Sequence, residues 1–218
     1  MKNWLYILLM LIFVVVLGNI YTENYSGYTP EPWIESGVNL FNQGHYQEAI
    51  ASFDQALQID PHNTVVMNHI ATAYVALGEY QAALNQFDAT IREDQNYTIA
   101  LNGKALVYSL QNNYQKEIDA FDAVLQIDPN DEFALSYQPL PYLALGRYQE
   151  ALEAYTRVTE RYPDNPVTWT YKGDTLYTLG RYQEAVAAYD RALLISPERN
   201  DTNTNRTRAM EKLGNITY

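Results

Sequence analysis

The sequence contains no cysteine. That absence excludes disulfides, thiolate zinc sites, iron–sulfur clusters and a cysteine nucleophile. It does not define a compartment, since an exported chain can do without disulfides. Basic residues are scarce, with 14 Lys and Arg against 26 Asp and Glu, so the net charge is -12. Nucleic-acid binding needs clustered cations to neutralise phosphates, and this balance argues against such a partner. Charged residues make up only 18% of the chain, below the usual soluble average. Histidine is rare: His45, His62 and His69 show no metal-ligand spacing. No glycine-rich phosphate loop occurs, because the glycines stand singly. Nothing here calls for an enzyme, a metal or a cofactor.

What is present begins with an apolar run. Residues 4–21 are nearly all apolar, with Gly18 and Asn19 close to the end. As a helix at 1.5 Å per residue, the run would span about 27 Å, close to the hydrocarbon thickness of a bilayer. Trp4 and Tyr6 at one end and Tyr21 at the other suit interfacial anchors. Lys2 and the free amine precede the run, and Glu23 follows it. The positive-inside rule then leaves residues 1–3 as a cytoplasmic tip and the rest of the chain outside. The run reads as a transmembrane signal-anchor helix, followed by a polar linker at 22–29. The competing reading is a cleaved signal peptide ending near Val16-Leu17-Gly18, which would make the chain secreted. The length of the run and its minimal basic flank favour the anchor. Glycosylation sequons at Asn24, Asn96, Asn200, Asn205 and Asn215 fit an extracytoplasmic location, although an Asn- and Thr-rich surface explains them equally.

Beyond the linker the chain repeats every 34 residues. Glycines stand at 44, 78, 146, 180 and 214, and Asn112 fills the missing slot. Asn is the next best residue for the left-handed conformation that ends a helix. In phase with these run Tyr46, Tyr80, Tyr114, Tyr148 and Tyr182. A second ladder is Ala49, Ala83, Glu117, Ala151 and Ala185, and a third is Phe53, Phe87, Phe121, Tyr155 and Tyr189. Pro61, Pro129, Pro163 and Pro197 close the units, with Gln95 in the remaining place. Within the first unit, Trp33, Gly37 and Leu40 make one apolar helical stripe. Gly44 ends that helix, Tyr46 to Asp60 forms a second, and Pro61 blocks its continuation. Small residues at Gly37 and Ala49 let the two helices approach. One such hairpin cannot bury its own apolar face and needs the next stacked on it.

Residues agreeing at about eight positions per unit across five units resemble the tetratricopeptide repeat. The resemblance covers roughly residues 30–199, as repeats 30–63, 64–97, 98–131, 132–165 and 166–199. It implies an all-α, right-handed α-solenoid of about five hairpins, preceded by the transmembrane helix. The segment 200–218 holds a sixth first-helix, Thr204 to Leu213 ended by Gly214, which would cap the stack with a polar face. The family resemblance further implies a concave groove lined by the first helix of each repeat. Its floor would be Ile34, Val38 and Phe41, then Asn68 and Thr72, then Asn102 and Leu106, then Ser136 and Leu140, then Thr170, Asp174 and Tyr177. Asn68 and Asn102 would pair with the backbone of a bound strand. Ile34, Val38 and Ile99 stand where family members that grip acidic tails carry basic or amide groups, so the ligand expected is neutral, apolar or mildly basic.

Two departures interrupt the pattern. Pro139 and Pro141 fall inside the fourth first-helix, where an interior proline bends the helix. Lys104 and Glu117 replace a Leu-like and an Ala position in one hairpin, where they would form a salt bridge. The function expected is a membrane-anchored, non-enzymatic scaffold that binds a partner protein or peptide, with the membrane engaged through residues 4–21. The alternative is a self-associating, homo-oligomeric component of an envelope assembly.

Overall fold

A computed structural model of the protein describes residues 29–216. The tip at 1–3, the anchor assigned to 4–21, most of the linker and residues 217–218 lie outside it. Among the described residues every regular element is helical. No helix among them is long and apolar enough to cross a membrane.

The helices form two compact units that divide between Asp94 and Gln95. The first unit holds two hairpins: α1 (Glu31–Asn42) with α2 (Tyr46–Ile59), and α3 (Thr64–Ala76) with α4 (Tyr80–Glu93). The second unit holds α5 (Thr98–Leu110) with α6 (Tyr114–Ile127), then the split helix α7 (Glu132–Tyr137) and α8 (Pro139–Ala144) with α9 (Tyr148–Arg161). It continues with α10 (Pro166–Thr178) and α11 (Tyr182–Ile195), and ends on α12 (Asn200–Ile216).

The turns follow from the punctuation of the sequence. Gly44, Gly78, Gly146 and Gly180 adopt φ between 70° and 82°, and Asn112 takes φ 54° in the fifth position. A side chain in this left-handed region is costly for most residues and least so for Asn. Gly214 does not behave as the sixth member. Helix α12 continues through it to Ile216, so the expected stop is absent and Gly214 is an interior helical residue. Between hairpins, side chains cap the next helix: Asn63 accepts from the Val66 amide, Asp131 from Ala134, and Asn165 from Val167 and Thr168. Each such cap stabilises by about 1 kcal/mol.

Close approach within a hairpin depends on small residues. A Cβ on Gly37 would stand 2.5 Å from the Phe53 ring, and one on Gly173 would stand 2.5 Å from the Tyr189 ring. Ala71 and Ala105 fill the same slot in the second and third hairpins and are wholly buried. The Ala and Phe/Tyr ladders of the second helices form the core, with Ala49, Phe53, Ala83, Phe87, Phe121, Ala151, Tyr155, Ala185 and Tyr189 all buried.

The fourth hairpin breaks the small-residue rule with Pro139. The prolines split the first helix at Gln138, which itself keeps right-handed helical angles (φ −55°, ψ −34°). Pro139 and Pro141 lack the N–H groups that would bond four residues back. Both are buried. Gln138 is buried too, at 1% exposure, and clasps both neighbouring second helices. Its Nε2 donates to Asp122 Oδ1 of α6 and its Oε1 accepts from Arg157 of α9, each at 2.5 Å.

Glu117 is also buried, but Lys104 does not satisfy it as expected. The Ser109 hydroxyl supplies its hydrogen bond, and its Oε2 is buried with no hydrogen-bond partner. Burial raises its carboxyl above the ordinary value, against the lowering effect of that bond.

Candidate interaction surface

The first helices carry few charges. In the second unit α5 has Lys104, α7 has Glu132, and α10 has Lys172 and Asp174. The second helices α6 and α9 carry Lys116, Glu117, Asp119, Asp122, Glu150, Glu153, Arg157, Glu160 and Arg161. The lightly charged side is therefore the side made by first helices.

In the first unit, three expected groove residues are largely consumed by packing. Ile34, Val38 and Phe41 are half-buried and lie against the core cluster of Phe53, Val66 and Ile70. Phe41 also meets Tyr46 edge to face, with centroids 5.2 Å apart. They sit on α1 as the register requires, but they are core residues more than an open floor. On α3, Asn68 is half-buried with its Oδ1 hidden from solvent and unpartnered. Thr72 is exposed, and its hydroxyl donates to the Asn68 carbonyl at 2.9 Å.

In the second unit the face is open over two hairpins and partly covered at the third. Leu106 on α5, Ser136 on α7 and Leu140 on α8 are exposed, the two leucines at 45% and 44%. Asn102 is not available to a ligand strand in the expected way. Its Nδ2 donates to both Asp131 oxygens at 3.2 and 3.3 Å, tying α5 to the cap of α7, and its Oδ1 is buried.

Thr170 is not on an open face. It is buried, and its hydroxyl pairs with the Thr202 hydroxyl of α12 at 2.8 Å. Asp174 accepts from the Tyr189 hydroxyl at 2.7 Å and from Asn205 Nδ2 at 2.9 Å. Burial raises its carboxyl, while those two bonds and the Arg208 charge hold it down. The capping helix thus takes up Thr170 and Asp174 of α10, while Val167 and Tyr171 on the same helix stay exposed. Beside it remains a cavity of about 160 Å³ lined by Asp174, Tyr177, Thr178, Tyr189, Asn205 and Arg208. Tyr177 is half-buried, edge-on to Tyr182 at 5.2 Å.

The structure adds residues that the groove list omitted. Val65, Ile99, Phe133 and Val167 share one phase of the repeat, in the first turn of successive first helices, and all are exposed. Tyr137 and Tyr171 share another phase and are 48% and 46% exposed. Their 34-residue spacing was available in the sequence, as apolar or aromatic residues at positions that a solvated helix would fill with polar ones.

The remaining polar candidates have structural partners. His45 pairs with Glu48 at 2.9 Å and His62 with Glu93 at 2.8 Å. His69 stacks on Phe53, with centroids 5.3 Å and planes 11° apart, and burial lowers its pKa. Among the described residues no group of three or more acidic or histidine side chains could hold a metal. Of the sequons, Asn96 and Asn200 are exposed. Asn205 is half-buried, and its amide donates to Asp174 at 2.9 Å. Asn24 and the Asn215 side chain lie outside the described residues.

Models of the tetratricopeptide repeat match residues 40–107, 99–131 and 142–201, together most of the helical array. No curated protein matches the sequence. Among solved structures, the chain is similar to a MamA protein at 20% identity and a TM-score of 0.69, covering 80% of this chain and 96% of that one. It is also similar to YrrB, described as a TPR protein with an unusual peptide-binding site, at 19% identity and a TM-score of 0.65, covering 88% and 97%. A third likeness is to a thermophilic TPR protein of Thermus thermophilus, at 19% identity and a TM-score of 0.54, covering 84% and 99%. Likeness at these identities establishes the shared fold.

Proposed function

This chain belongs to the tetratricopeptide-repeat family, and from that premise we propose that it is a membrane-anchored, non-enzymatic scaffold that binds a partner protein or peptide on its first-helix face. The observation that carries the reading is the row of exposed apolar side chains on the first helices of the second unit, Ile99, Leu106, Phe133 and Leu140. We take these side chains as the docking surface because large exposed apolar patches mark interaction sites. The scarcity of charge on that side fits a neutral, apolar ligand, since a buried unpaired charge would oppose binding. YrrB, with a similar fold, is described as binding peptide, which supports the same use here.

Anchoring rests on the apolar run at 4–21 and its aromatic and charged flanks. That run would hold the repeats on the extracytoplasmic side. Two measurements test the reading. After an alkaline carbonate wash the full-length protein is expected to stay with membranes, and its release would remove the anchor. Leu106→Glu with Phe133→Glu is expected to abolish partner capture with little change in melting temperature. Capture that survives both substitutions would move the site elsewhere.

A further inference from the structure

Tyrosine is unusually frequent, at 20 of 218 residues, and the ladder Tyr46, Tyr80, Tyr114, Tyr148 and Tyr182 accounts for only some of them. Tyr137 and Tyr171 belong to a different row. Resting on the reading of the first-helix face as a peptide site, we propose that this row recognises a proline-rich segment in the polyproline II conformation.

Each ring is supported from behind and open in front. Tyr137 lies on the Phe133 ring with centroids 4.5 Å apart, and Tyr171 lies 6.1 Å from the buried Tyr155 ring at 26°. A tyrosine held this way offers contact area at small entropic cost, having only two side-chain torsions to fix. Leu140 and Val167, both exposed, give apolar shoulders beside the rings. Proline-rich segments dock on aromatic-lined grooves of this kind, because their conformation is largely formed before binding.

Hydrogen bonding selects among peptide conformations. Neither the Tyr137 nor the Tyr171 hydroxyl has a hydrogen-bond partner among the described residues, so each is a donor facing solvent. A polyproline II chain has no internal hydrogen bonds, which leaves its carbonyls free to accept. A helical ligand has already used most of its carbonyls internally. An ordinary extended strand brings N–H donors as well, and the described residues hold no sheet edge to receive them. Proline has no N–H to satisfy.

Charge agrees, since proline is neutral, as the face nearly is.

The test is fluorescence anisotropy on the full-length protein in detergent micelles, titrated against labelled decaproline. A labelled amphipathic Leu/Ala helix of equal length serves as the comparison ligand. Saturable decaproline binding is expected. Tyr137→Phe and Tyr171→Phe together should weaken it about threefold to tenfold, and the corresponding Ala pair should weaken it further. The Phe pair keeps the rings and the fold, so its loss reads the hydroxyls alone. Binding of the helix but not decaproline, with the helix displaced by Leu106→Glu, would overturn this proposal and leave the peptide-site reading intact. Failure of both ligands would overturn both. Decaproline binding unchanged by the Phe and Ala pairs would place the site elsewhere, and displacement of decaproline by maltoheptaose would point to a sugar site instead.

Discussion

At the residue scale, the fold turns on which buried polar atoms find partners. Tyr155 and Tyr189 hold the same place in consecutive repeats, yet only Tyr189 meets an acceptor, Asp174. In the register of the repeat, Leu140 stands where Asp174 stands, and the buried Tyr155 hydroxyl has no partner. Tyr155→Phe is therefore expected to be neutral or mildly stabilising in urea unfolding. Tyr189→Phe is expected to cost about 1–3 kcal/mol, because it strips a donor from a half-buried carboxylate. A larger loss at Tyr155 than at Tyr189 would reverse this assignment.

Glu117 gives a prediction in pH. Its folded pKa is raised by burial, so the folded state binds its proton more tightly than the unfolded state does. Its stabilising contribution is full below the ordinary carboxylate range and is lost as pH rises through the folded pKa. Glu117→Gln should melt higher than the native protein at pH 7, with the difference shrinking toward pH 4. His69 acts in the opposite sense. Its pKa is lowered by burial, so below about 6.5, its ordinary value, the unfolded state binds more protons and stability falls. His69→Phe should lessen the decline between pH 6.5 and 5 on thermal melting.

At the element scale, hairpin geometry was legible because it depends on single residues at fixed intervals. The left-handed turn at Asn112 could be read from its phase with the glycines, and Gly37 as a small residue that lets two helices approach, while the rings over Gly37 and Gly173 came only with the structure. The clasp in the fourth hairpin could not. Gln138 meets Asp122 and Arg157 from 16 and 19 positions away, and nothing local marks three polar side chains that converge only after packing. The prolines announced an interruption but not its repair. Gln138→Leu should lower stability by about 1–3 kcal/mol, since it leaves Asp122 and Arg157 without their shared partner. Pro139→Ala restores both a backbone donor and the small residue of the other hairpins, and is expected to raise the melting temperature. Gly173→Ala should cost about 1–3 kcal/mol through the clash with Tyr189, in line with its 2.5 Å approach.

At the scale of the whole molecule, the groove residues carried over from the family resemblance, spread over five hairpins, fall into different environments. In the structure Ile34, Val38 and Phe41 turn to the core, and α12 covers Thr170 and bonds Asp174. The capping role of the tail followed from the family resemblance, but the hydrogen bond from Asn205 to Asp174 required side chains to meet across 31 positions. What stays open is the middle of the second unit, where α5, α7 and α8 present Ile99, Leu106, Phe133 and Leu140. Site-specific photo-crosslinking in cells tests that claim most directly. A photoreactive residue at Leu106 or Phe133 is expected to give a discrete adduct with a partner, and one at Glu153 on the charged helix α9 is expected to give none. Adducts from Glu153 alone, with Leu106 and Phe133 silent, would show that the apolar first-helix face is not the binding site.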